Sequence, residues 1–108
     1  MAFIVAELSI ELIEKLQPLM PRIKARDKSL ADQIQRAANS IALNIGEGAY
    51  SDPGNRRARF HTAAGSAGEV LAAVKAAVAW RIVARSDGEA AEALLWRILP
   101  MLWKLTRG

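Results

Sequence analysis

Apolar residues recur along the chain at spacings of three and four with polar residues between them, the pattern of helices that each bury one face. Phe3, Ile4, Leu8, Leu12, Ile13, Leu16 and Leu19 make the first stripe, with Glu7, Glu11 and Glu14 opposite. Pro18 and Pro21 each remove a backbone donor and push the preceding residue out of helical geometry, so this helix is predicted to end there, followed by a short basic connector. Ser29 and Asp32 have capping-box spacing and predict the start of a second helix running to about Gly48. Its inward stripe is Leu30, Ile34, Ala37, Ala38, Ile41 and Ile45, with Lys28, Asp32, Gln35 and Asn39 outside.

Asp52 followed by Pro53 is a third start signal, because aspartate accepts from free amides and proline at the first helical position loses nothing. Phe60, Ala64, Ala67, Leu71, Val74, Val78 and Ile82 then repeat over several heptads and predict one long helix ending near Arg85. Asp87 is placed to cap a fourth helix with the stripe Ala91, Leu94, Leu95, Ile98, Met101, Leu102 and Leu105, kinked at Pro100. Short connectors force successive helices to lie antiparallel, so the expected fold is all-α, an up-down-up-down antiparallel four-helix bundle with residues 1–108 as a single domain.

The chain has 108 residues, enough for one core, and 52% of them are apolar, much of that alanine. Cysteine is absent, which removes disulfide and thiolate chemistry and fits a reducing compartment. The N-terminal residues are acidic and lack the apolar run of a signal peptide, so a cytoplasmic protein is expected. Residues 71–83 and 90–105 are the most apolar stretches, but charges interrupt both and no membrane anchor is expected. A net charge of +4 is a modest basic excess.

Catalytic chemistry finds little material. The single histidine, His61, cannot form a zinc site of the usual type, and nothing near Ser40 or Ser66 makes a nucleophile motif. Neither an enzyme nor a bound metal or cofactor is expected. Gly46, Glu47 and Gly48 lack the lysine, spacing and preceding strand of a phosphate loop, and read instead as a helix C-terminus loosened by glycine. Gln33, Arg36, Ser40, Asn44 and Glu47 form a polar stripe beside the apolar one, and Gly65, Ser66 and Glu69 lie along one side of the third helix. Such groups need partners if buried, Arg36 with Glu69 for example, and their expected role is packing specificity.

The stretch LADQIQRAANSIALNIGEG, followed by RFHTAAGSAGEV, resembles the signature of the 23S rRNA intervening-sequence (S23 ribosomal) family of four-helix-bundle proteins. The motif positions are Leu30, Gln33, Arg36, Ala37, Ser40, Ile41, Asn44, Ile45, Glu47 and Gly48, then Phe60, Gly65, Ser66 and Glu69. Ala42 stands where the family commonly has proline and Gly46 where it has alanine. The resemblance implies a four-helix bundle assembling as a ring-like homopentamer, with no established enzymatic activity. It also implies kinship with accessory variability proteins of diversity-generating retroelements, basic barrels that bind nucleic acid and a reverse transcriptase.

Antiparallel order brings the first connector and the end of the third helix to one end of the bundle. Arg22, Lys24, Arg26, Lys28, Arg81 and Arg85 then form a basic end, opposed locally by Asp27 and Asp87, that suits RNA or DNA phosphates with little sequence preference. The bland alternative is a set of solvated helix ends, where cations also favour the helix dipole. Arg56, Arg57, Arg59, Lys104 and Arg107 belong to the other end. Trp80, Trp96 and Trp103 are expected inside apolar helices rather than among the arginines, with no aromatic platform for unpaired bases and Trp96 and Trp103 on one face suited to a subunit interface. Two functions remain open: an oligomeric bundle that binds nucleic acid, and a protein-interaction scaffold such as an accessory subunit of a nucleic-acid enzyme.

Overall fold

The computed structural model describes residues 2–107, in which every regular element is helical. The order is α1 (Ala2–Leu16), a 3-10 turn (Gln17–Leu19), α2 (Met20–Arg26), α3 (Lys28–Ala49), α4 (Pro53–Ala79) and α5 (Arg85–Arg107). α1 and α2 continue one another, giving four antiparallel columns. α1 packs on α3 and α5, and α4 packs on the same two, so α1 and α4 are diagonal across the bundle, as are α3 and α5. α4 has 27 residues. At about 1.5 Å per residue it spans roughly 40 Å, which sets the 42 Å long axis.

α1 ends at Leu16, just before Pro18, as the sequence predicts, but the column continues past the prolines. Pro18 and Pro21 each fall in the first turn of a new segment, where no helical acceptor awaits the missing N–H, and the 3-10 turn joins α1 to α2. The expected basic connector is therefore helical, and Asp27 alone separates α2 from α3. Asp27, not Ser29, caps α3, its Oδ1 accepting from the Leu30 N–H at 3.0 Å. Asp52 caps α4 as expected, accepting from the Asn55 N–H at 3.0 Å with Pro53 in the first turn.

α4 stops at Ala79, earlier than the apolar repeat suggests, in a Schellman-type turn. The Arg81 N–H donates to Val78 O and the Ile82 N–H to Ala77 O, both at 2.9 Å. Arg81 sits in the left-handed region at φ 59°. α5 in turn begins two residues before Asp87, whose carboxylate accepts from the Ala84 N–H at 3.2 Å and so satisfies the helix entry from inside the first turn. α5 then runs on through Pro100.

The core follows the predicted stripes on α3, α4 and α5, where Ile34, Ile41, Ile45, Phe60, Ala67, Val74, Leu95, Ile98 and Leu102 are buried. The α1 stripe holds from Leu8 onward and departs from its prediction only at the start. Val5, Leu8, Leu12 and Leu16 face inward, whereas Phe3 is 76% exposed and Ile4 50%. Gly48 is a contact point rather than a loosened end: α3 continues to Ala49, and a Cβ at residue 48 would lie 2.9 Å from Cε1 of the buried Phe60 ring. Gly46 faces open space.

Candidate nucleic-acid interface

The two predicted groups of bases meet at one end of the bundle. Arg22, Lys24 and Arg26 lie on α2 and Lys28 opens α3, while Arg81 and Arg85 flank the α4–α5 turn. An ion pair from Arg22 Nη1 to Asp87 Oδ2, 3.0 Å long, ties the groups together. All six side chains are exposed.

Two of the local acids are already engaged. Asp27 caps α3. Asp87 is held below the usual carboxylate range by the Arg22 guanidinium and by the Ala84 N–H. Among the described residues, Lys24, Arg26, Lys28, Arg81 and Arg85 have no ion-pair partner. Five cations thus share a surface on which Asp27 and Asp87 have other partners and Asp32, beside Lys24 and Lys28, has none among the described residues, more cations than a helix dipole attracts.

The α4–α5 turn adds an aromatic that the sequence reading places elsewhere. Trp80 is the residue after the last turn of α4 and is 73% exposed, beside Arg81. Trp96 and Trp103 are also exposed rather than core. The His61 ring meets Trp103 edge-on with centroids 5.4 Å apart, placing Trp103 on the α4–α5 flank.

At the opposite end Arg59 is committed to Glu47 at 2.9 Å, and the Arg56 guanidinium lies over the Phe60 ring at 5.4 Å. Arg57 and Lys104 share a concavity there with Pro53 and Leu105. This second basic group is therefore partly consumed by internal contacts.

The motif residues divide in two. Ser66 Oγ donates to Ser40 Oγ at 2.8 Å across the α3–α4 seam, and Asn44 Nδ2 donates to the same oxygen at 3.1 Å. Arg59, which sequence reasoning did not place in this group, links Asn44 and Glu47. Gly48 and Phe60 make the close approach beneath. Gln33, Arg36, Gly65 and Glu69 instead face solvent, and among the described residues Arg36 and Glu69 form no ion pair. The seam is half-open rather than buried, because α3 and α4 present these residues on their flanks.

No group of three or more metal-ligating side chains occurs among the described residues, and no helix there is long and apolar enough to cross a membrane. No curated protein matches the chain. Among solved structures, a protein of unknown function from the S23 ribosomal protein family of Bacteroides thetaiotaomicron superposes with a TM-score of 0.87 at 19% identity, over 96% of this chain and 99% of that one. The two share a fold. The family model for the 23S rRNA-intervening sequence protein matches residues 2–104, and the chain belongs to that family.

Proposed function

We propose that this protein is a non-enzymatic homo-oligomeric bundle that binds RNA or DNA through the basic end. The observation that carries the nucleic-acid reading is the convergence of α2, the start of α3 and the α4–α5 turn on one surface with five unpaired cations, where Asp27 and Asp87 are engaged and Asp32 is exposed beside Lys28. Phosphate contacts of this kind give salt-sensitive binding with little sequence preference. Replacing Arg22, Lys24, Arg26 and Lys28 with glutamine weakens RNA binding in a gel shift, and undiminished binding by that variant contradicts the proposal.

Self-association rests on two unpartnered apolar faces. On the α1–α3 side Ile13, Leu16, Met20, Ala31 and Ala38 line a groove of about 540 Å³, with Ile10 exposed on α1. On the α4–α5 side Trp96, Leu99, Pro100 and Trp103 line another of about 540 Å³. Because α1 and α4 are diagonal, as are α3 and α5, these faces lie on opposite sides of the bundle. Unlike faces on opposite sides make head-to-tail contacts that close into a ring when the rotation allows it. The family resemblance supports five subunits. Light scattering that finds a monomer at micromolar concentration removes the ring.

A further inference from the structure

We propose that Trp80 is a stacking platform for an unpaired nucleobase, so that the basic end takes single-stranded nucleic acid in preference to duplex. This rests on the reading of that end as a nucleic-acid surface and names its substrate class.

The first ground is that Trp80 does no work in the fold. A Schellman turn is ordinarily anchored by an apolar residue just past the helix, and here Val83 is buried and Ile82 half-buried in that role. The largest apolar side chain of the turn is left 73% in water. It sits at the tip of the bundle and lines neither the α1–α3 groove nor the Trp96–Trp103 flank.

The second ground is the residue beside it. Arg81 occupies the position where a helix stop most favours glycine, and it alone among the described non-glycine residues has positive φ. A strained position filled by an arginine points to a use for the cation that the fold itself does not supply. Arg81 and Arg85 both border a concavity of about 450 Å³ in the same turn, with Ala79, Ile82 and Ala84. Asp87, the acid of this turn, is engaged by Arg22 and the Ala84 N–H.

An exposed indole in a turn that also carries arginines suits single strands: the ring stacks on a base face, and the cations meet phosphates of the same strand. Duplex bases are already stacked and present only phosphates to such a surface.

The test compares labelled oligo(dT) with a duplex of equal length, binding to the full chain and to Trp80→Leu and Trp80→Phe. Wild type favours the single strand. Trp80→Leu lowers single-strand affinity by about ten- to a hundredfold while leaving duplex affinity within twofold, and Trp80→Phe restores part of the loss. Oligo(dT) quenches tryptophan emission in wild type and fails to do so in Trp80→Leu, in which Trp96 and Trp103 still report. Equal affinities of wild type and Trp80→Leu for the single strand, or an equal loss for both strands, overturn the proposal while the basic end stands. Loss of all binding in the glutamine variant, with Trp80 intact, tests the basic end separately.

Discussion

Gly48→Ala puts a methyl group into the tightest helix contact of the α3–α4 seam. The added Cβ lies 2.9 Å from Phe60 Cε1, 3.2 Å from Phe60 Cδ1 and 3.2 Å from Arg59 Cβ. The first distance is too short for any carbon pair, so the ring or α3 must move by several tenths of an ångström. Phe60 is fully buried among core side chains and has little room to yield. Overpacking a fixed site costs about 1–3 kcal/mol, while alanine for glycine in a helix returns about 1 kcal/mol. The net expectation is a loss of about 0–2 kcal/mol. Gly46→Ala meets nothing within 4 Å and keeps the whole helix gain, about 1 kcal/mol. Urea denaturation followed by circular dichroism separates the pair, with Gly46→Ala more stable than wild type and Gly48→Ala no more stable than wild type. Equal stabilisation by both substitutions refutes the close-approach reading of Gly48.

Arg81→Gly relieves the left-handed strain and raises stability by about 1 kcal/mol while weakening nucleic-acid binding; a loss of stability in thermal melts shows that Arg81 supports the fold instead. The Asp87 carboxyl is depressed in the folded chain, so its contribution to stability is full above its ordinary pKa of 3.8 and fades as pH falls through the lower folded value. Asp87→Asn therefore flattens the acid limb of a stability-against-pH curve, and an unchanged limb contradicts the Arg22 pairing. Ile10→Glu and Trp96→Glu each break one face of the head-to-tail contact, and each alone remains a monomer in light scattering. Mixed in equal amounts they form a dimer and nothing larger, because one intact face of each kind remains; no association on mixing argues against unlike faces.

Most of the fold was legible because helical spacing on α3, α4 and α5 coincides with burial. The α1 stripe misled only at Phe3 and Ile4, because this helix is apolar on more than one side and nothing in the single chain covers Phe3 or Ile10. Pro18 marked the end of α1 correctly, but the helical continuation was missed, because a proline's lost donor costs nothing in a first turn and the 3-10 turn makes both prolines starts. The early stop of α4 carried no glycine to signal it. Asp87 did carry a signal for α5, since an acid three residues after Ala84 can satisfy that residue's N–H. The six bases of the candidate interface could be placed from antiparallel order alone. Trp80 could not, because its exposure depends on α4 ending at Ala79 instead of passing through the turn.

Salt dependence of RNA binding reports most directly whether the α2–α3 corner meets phosphate. Plotted as log affinity against log salt, wild type falls steeply, and the variant with glutamine at residues 22, 24, 26 and 28 falls less steeply, its slope smaller by about 2 to 3. A slope unchanged by removing these four charges, or an affinity of the wild-type chain that does not vary with salt, contradicts phosphate recognition by the basic end.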